Sequence, residues 1–289
     1  MGLIAFFKRL AAKRREKAKP VLGLALGSGG AKGFAELCAL KAFEGKGITF
    51  DIIGGTSIGS IIGAFYADGY SSTDIQNLIL GIKLKDVITG LPFNMDMSGI
   101  RRVIDREIGG KNIEELKKPF VAVCTDADEM KEIHFTKGKV ATAVSGSGCF
   151  LPYFRPVVDT EGRRLIDGAY LNSIPAREVR ELGAEYVVGV DLSAFNPLTP
   201  EDKLRPGASK NPKEKGYKYS DVMITPDLSA YTGTSLSGRH EMFESGYAAA
   251  MEKMDEIKTG IARFNRKRAK KLKDLDEESF TALTVVKNK

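Results

Sequence analysis

Ile53-Gly54-Gly55-Thr56-Ser57-Ile58-Gly59-Ser60 joins two runs of opposite periodicity. Phe50 to Ile53 reads as a buried strand. Ile58, Ile61, Ile62 and Phe65 then recur at helical spacing through Ala67. Between them Gly55-Thr56-Ser57-Ile58-Gly59 fits G-x-S-x-G, the spacing of a nucleophile elbow. A bend this sharp strains its central residue, and the positions two before and two after it must lack side chains where strand and helix converge. The Ser57 hydroxyl then projects from the sheet edge at a helix N-terminus, where free N–H groups favour developing negative charge. An ordinary glycine-rich turn whose serine caps the helix satisfies the same five positions, so support must come from elsewhere in the chain.

A second unit of the same kind lies upstream. Val21-Leu22-Gly23-Leu24-Ala25-Leu26 reads as a buried parallel strand, Gly27-Ser28-Gly29-Gly30-Ala31-Lys32-Gly33 as a turn, and Phe34 to Glu44 as a helix closed by Gly45 and Gly47. Such a turn gathers backbone N–H groups in one concavity and suits an anion. A dinucleotide fingerprint begun at Gly27 needs glycine where Lys32 stands. A phosphate-binding G-x-x-x-x-G-K-[ST] loop fails because Gly33 follows Lys32. What remains is an oxyanion hole, a plain tight turn, or a nucleotide-binding loop of neither pattern. Two strand–turn–helix units one crossover apart place both turns at the same carboxyl edge of a parallel sheet. One loop can therefore present N–H groups to the carbonyl that the other loop's serine attacks.

Serine needs a base. Arg164-Leu165-Ile166 reads as a short strand ending in Asp167-Gly168-Ala169, which is commonly just a turn but here is the best-placed carboxylate. The two histidines compete with it. His134 sits in the strand-like Glu132 to Thr136, ahead of the acid. Ser57-Asp167-His240 keeps the hydrolase chain order, but His240 follows an irregular stretch without strand-end or glycine context. Direct proton transfer from Ser57 to Asp167 fits better, provided burial or a short hydrogen bond strengthens the carboxylate as a base.

Gly27 to Gly33, Gly55 to Gly59 and Asp167-Gly168-Ala169, in that order, resemble the patatin-like phospholipase family, in particular its small bacterial acyl hydrolases. The likeness spans about residues 20–250 and includes Leu151-Pro152-Tyr153-Phe154-Arg155-Pro156. It implies a three-layer α/β/α sandwich with a central, mostly parallel sheet. It also implies a Ser-Asp dyad without histidine, metal or other cofactor, with Ser57 as nucleophile and Asp167 as general base. Gly29, Gly30 and Ala31 would supply the oxyanion hole, framed by the motif residues Lys32, Gly33, Gly55, Gly59, Gly168 and Ala169. Two positions depart from the family pattern: Ser28 replaces its first glycine and Lys32 its usual arginine. The implied activity is acyl-ester hydrolysis of phospholipid, lysophospholipid or a related lipid. The alternative is a catalytically weak lipid-binding or regulatory protein at a membrane surface.

The 289 residues, 43% apolar with 31 glycines, suit a globular α/β chain. Three cysteines, Cys38, Cys124 and Cys149, lack C-x-x-C spacing, which argues for a reducing compartment and against disulfides or zinc. The net charge of +7 is concentrated at the start, where the first twenty residues hold seven basic side chains against Glu16 alone, a net of +6. Leu3, Ile4, Phe6, Phe7 and Leu10 form an apolar stripe beside that charge. Residues 1–19 thus read as a basic amphipathic leader suited to an anionic membrane surface. A solvated tail is the alternative, and nucleic acid is disfavoured because no aromatic stacking residues accompany the charge. The expected location is the cytoplasm, with peripheral contact to the inner face of the membrane.

The remaining chain reads as helices over 73–83, 98–108 (with Ser98 as N-cap) and 139–144, and strands over 120–124, 186–192 and 221–225. Pro175 and Gly183 bound a short helix. Residues 90–97 form a loop that could line a lipid passage or simply pack. Ser145 to Pro152 is a small-residue loop, and 195–220 a long mobile excursion. A helix from 241 to 272 turns basic near its end, dividing the chain into the leader, a catalytic domain at 20–250 and a C-terminal helix and tail at 251–289.

Overall fold

A computed structural model describes residues 20–82, 89–91, 94–235, 237–268 and 270. The leader lies outside the described residues, as do Lys83, Pro92, Phe93 and the tail beyond 270.

Strand β1 (Leu22–Leu26) leads through a 3-10 turn into helix α1 (Gly33–Gly45); β2 (Ile52–Thr56) leads through Ser57 into α2 (Ile58–Ala67). Helix α3 (Ser72–Gly81), the short antiparallel pair β3 (Thr89–Leu91) and β4 (Asn94–Asp96), and α4 (Ser98–Ile108) precede the central strand β5 (Phe120–Asp126). Then come β6 (Glu132–Phe135), α5 (Val140–Ser147), β7 (Val157–Val158), β8 (Arg164–Asp167), α6 (Ala176–Glu181), β9 (Tyr186–Val190), α7 (Glu214–Tyr219), β10 (Val222–Ile224) and α8 (Arg239–Glu252).

The main sheet runs β10-β9-β1-β2-β5-β8-β7, with β6 also on β5. Strands β10, β9, β1, β2 and β5 are parallel, whereas β6, β7 and β8 are antiparallel to their neighbours. Both faces are covered, which is why β1, β2, β5 and β9 are buried along nearly their whole length. One face packs Leu24, Leu26 and Ile53 against α1, α2 and α8; the other packs Ala25, Val121 and Val187 against Ala176 and Val179 of α6. The architecture is the expected α/β/α sandwich. Met254 and Ile257 join the first of these cores, and Phe264 packs edge-on against Tyr186, so the folded unit continues past residue 250. Among the described residues, no helix is long and apolar enough to cross a membrane.

The decisive topological detail is at β5. Residues 120–123 of β5 pair with β2, and residues 122–125 pair with β6 on the opposite edge. Since β8 pairs with residues 124–126, it must occupy the same edge as β2. The antiparallel β8 therefore runs head-on toward β2, and the two carboxyl ends meet beside the Val123–Cys124 step.

Several elements differ from expectation. Strand β2 extends through Gly54, Gly55 and Thr56, because glycines compatible with a turn are equally able to lie in a strand where neighbours approach closely. Ser98 is inside α4 rather than capping it; the Asp96 carboxylate instead accepts from the Ser98 N–H. Helix α5 runs through Ser145, Gly146 and Ser147, where a loop was expected, since Gly146 leaves room for Leu165 at 2.9 Å from a notional Cβ. The 195–220 excursion is anchored: the Ser209 N–H donates to the Tyr170 carbonyl, the Ser173 N–H to the Pro212 carbonyl, and α7 lies within it.

Candidate active site

The bend after β2 holds Ser57 at φ 56°, ψ −124°, a left-handed geometry that costs a non-glycine residue on the order of 1–3 kcal/mol. The flanking glycines are steric requirements. A Cβ at Gly55 would lie 2.2 Å from the Gly59 carbonyl oxygen, and one at Gly59 would lie 2.4 Å from the Leu26 carbonyl oxygen at the end of β1. The strain is held by a buried hydroxyl on α5. Ser147 Oγ accepts the Ser57 N–H at 2.9 Å and donates to the Val123 carbonyl at 2.6 Å.

The meeting of β2 and β8 delivers the carboxylate. Ser57 Oγ donates to Asp167 Oδ2 at 2.6 Å, and the Ala169 N–H donates to Asp167 Oδ1 at 2.9 Å. Gly168 is required because a Cβ there would sit 2.3 Å from the Val123 carbonyl oxygen. Both side chains are secluded, with Ser57 9% and Asp167 2% exposed. Burial raises the Asp167 carboxyl from its ordinary 3.8 to about 6, against the opposing hydrogen bonds from Ser57 and Ala169.

The glycine-rich loop lies at the same sheet edge. Gly27 N–H donates to Glu36 Oε1 at 2.7 Å and Ser28 N–H to the Ser173 carbonyl at 3.0 Å, which ties the loop to α1 and to the turn after Asp167. Glu36 is fully buried, and desolvation holds its carboxyl well above the ordinary range. Gly30 takes φ +57°, and a Cβ on it would lie 2.3 Å from the Gly233 carbonyl oxygen. That carbonyl accepts the Ala31 N–H at 2.7 Å, so Ala31 is not a free donor here. The Gly29 and Gly30 N–H groups have no protein acceptor among the described residues. Lys32 is buried rather than facing solvent, and its Nζ donates to Asn196 Oδ1 at 2.7 Å.

The histidines stand apart from this arrangement. His240 is on the first turn of α8, 82% exposed in its side chain and paired with Glu244. His134 Nε2 contacts Glu132 and Glu178. Those three residues place ligand-type atoms within 4.8 Å of one another, but both carboxylates already serve cations: Glu132 pairs with Arg177 and Lys215, and Glu178 with Arg177. Burial raises the Glu132 carboxyl, but hydrogen bonds from His134 and Lys215 outweigh it and bring the value to about 2. The grouping is a compensated ion cluster and does not suit a divalent cation.

Ser147 and Gly233 escape sequence reading because each acts across a long chain separation, and Glu36 because a helical glutamate carries no sign that its carboxylate turns inward to Gly27. The small-residue run Ser145-Gly146-Ser147-Gly148 was the one available signal, and it suits a tightly packed helix as well as a loop.

A family model described as patatin-like phospholipase matches residues 24–180. Mouse patatin-like phospholipase domain-containing protein 6 is 33% identical over 190 residues, which cover 60% of this chain and 14% of the mouse protein. Lysophospholipase nte1 of Aspergillus fumigatus is 31% identical over 211 residues, 68% of this chain and 13% of the fungal protein. The chain thus spans a small fraction of the length of these relatives. The crystal structure of VipD from Legionella pneumophila superposes with a TM-score of 0.61 at 15% identity, over 82% of this chain and 67% of that one, a likeness of fold.

Proposed function

Because the chain belongs to the patatin-like phospholipase family, we propose that it hydrolyses acyl esters of phospholipids, lysophospholipids or related lipids through an acyl-Ser57 intermediate. The observation that carries the reading is the 2.6 Å hydrogen bond from Ser57 Oγ to Asp167 Oδ2. Asp167 accepts the hydroxyl proton as Oγ attacks the acyl carbonyl carbon. The resulting oxyanion is held by the free N–H groups of Gly29 and Gly30, each contributing about 3 kcal/mol of transition-state stabilisation. Collapse expels the alcohol, which takes the proton back from Asp167. Water, deprotonated by Asp167, then releases the fatty acid from Ser57. No metal or cofactor takes part in these steps.

Turnover of a short-chain ester by wild type, Ser57→Ala and Asp167→Asn tests the assignment. Both variants should lose at least a thousandfold in kcat while remaining folded, and full activity in Ser57→Ala would end it.

The Gly233 carbonyl on Ala31 favours a second reading, a lipid-binding or regulatory protein whose oxyanion loop is closed. Failure of well-folded protein to label at Ser57 with a fluorophosphonate selects that reading. In either case residues 1–19 serve as a peripheral contact with anionic membrane on the cytoplasmic side. Flotation with anionic liposomes should weaken when they are deleted.

A further inference from the structure

A cavity of about 620 Å³ lies between the turn that follows Asp167 and the segment 193–213. Its volume is that of a pocket for a small ligand. Ala169, whose N–H holds Asp167, lines it, and so does Ser173, whose carbonyl accepts the Ser28 N–H. Asn196, the acceptor for Lys32, lines it too. Its walls therefore include direct hydrogen-bond partners of the Asp167 carboxylate and of the glycine-rich loop.

Its walls have two chemistries. One is apolar: Phe150 and Tyr170 stack with ring centroids 5.6 Å apart and planes 8° from parallel, and Phe150 remains 45% exposed. The other is cationic, with Lys203, Arg205, Lys210 and Lys213 on the lining and no aspartate or glutamate among the lining residues. Two of these cations are engaged: Lys210 pairs with Glu201, and Lys213 donates to the Ser193 carbonyl near Asp191. Lys203 and Arg205, both on the lining, have no hydrogen-bond or ion-pair partner among the described residues. An exposed arginine beside an aromatic wall, with no carboxylate to neutralise it, suits an anionic ester group. A quaternary ammonium head would meet repulsion there.

We propose that this cavity receives the phosphate-bearing head of the lipid substrate, with Arg205 and Lys203 as its charge partners and the Phe150–Tyr170 pair against its glycerol carbons. The inference rests on the acyl-hydrolase reading and narrows it to substrates whose head is net anionic.

Short-chain substrates below their micellar concentration separate head recognition from membrane binding. The 289-residue chain is compared on hexanoyl glycerol 3-phosphate, hexanoyl glycerophosphocholine and monohexanoylglycerol. The phosphate monoester should show a KM lower by on the order of tenfold than either of the others. Arg205→Ala, and more fully Lys203→Ala with Arg205→Ala, should erase that difference while kcat and the neutral-ester kinetics hold. Equal KM values in wild type, or a preference for the choline ester, overturn the proposal, as does an Arg205→Ala effect of the same size on all three esters.

Competition distinguishes a lipid head from free phosphate. Inhibition by glycerol 3-phosphate at least tenfold stronger than by inorganic phosphate supports the head assignment, and equal inhibition overturns it. If wild type hydrolyses none of the esters, the hydrolase reading falls. The cavity is then judged by phosphorus NMR of glycerol 3-phosphate, whose line should broaden with wild type and not with Arg205→Ala. Absence of broadening with wild type overturns the cavity assignment as well.

Discussion

Thr56 and Asp167 stand opposite consecutive residues of β5, Val123 and Cys124, on the same edge of that strand. They are 111 positions apart in sequence. Because β2 runs with β5 and β8 runs against it, the residue after Thr56 and the last residue of β8 face one another across a single peptide step. The Ser57–Asp167 hydrogen bond follows from that collision of strand ends, and its consequences can be measured.

Activity should depend on the ionisation of Asp167. The carboxylate must be free of its proton to serve as base, and burial raises its pKa to about 6. We predict kcat/KM for a soluble neutral ester to rise about tenfold per pH unit below 6, level off near 7 and show no second rise attributable to histidine. An acid limb near pH 4 would mean that the carboxylate is not desolvated in the working enzyme.

The same burial costs stability. The folded pKa of about 6 exceeds the ordinary 3.8, so between these values the folded chain holds a proton that the unfolded chain has released. Stability therefore falls as pH rises through this window and stays lower above it, by about 3 kcal/mol at full effect. Asp167→Asn should abolish activity yet raise the melting temperature at pH 7.5, with the gain shrinking toward pH 4. Chemical denaturation of both proteins at several pH values reads this out directly.

Gly168→Ala should unfold or loosen the site without touching Ser57 Oγ or the Asp167 carboxylate. Its Cβ would lie 2.3 Å from the Val123 carbonyl oxygen and 3.0 Å from Thr56 Cγ2, the point where β8 meets β2. We expect about 1–3 kcal/mol of destabilisation and a larger loss of kcat than of thermal stability alone predicts. Gly45→Ala, with open space around its Cβ, is the matched control.

Ser147→Ala removes the acceptor of the Ser57 N–H and the donor to the Val123 carbonyl. Two buried backbone groups lose their partners, a cost of about 1–3 kcal/mol each. Relaxation of the strained Ser57 backbone should lower kcat with little change in KM, and Ser147→Thr should recover part of it.

His240→Gln should leave kcat within about twofold of wild type, because its imidazole is exposed and pairs with Glu244 one turn on. A loss beyond tenfold would show that a histidine takes part in proton transfer.

Much of this site was legible in the chain. Gly55 announces the bend because its Cβ would meet the Gly59 carbonyl one turn on, a local constraint, whereas Gly59 makes room for the end of the neighbouring strand β1. The serine, the aspartate before a glycine and the alternation of strand, glycine turn and helix carry their meaning within a few residues each. The amides were less legible. Nothing near Ala31 indicates that its N–H is taken by Gly233, because that contact joins segments two hundred positions apart. Likewise the stretch from 195 to 220 has the composition of a loose loop, and its order comes from bonds to Tyr170 and Ser173.

The bend at Ser57, the turn at Asp167 and the layered fold were thus written into the order of glycines and apolar residues. The distance between hydroxyl and carboxylate, the unpaired Gly29 and Gly30 N–H groups and the cationic cavity arose only once β5 brought separate segments to one edge. Those features are sums of contacts between distant residues, and free N–H groups and unpaired charges are defined by what the rest of the chain leaves unoccupied.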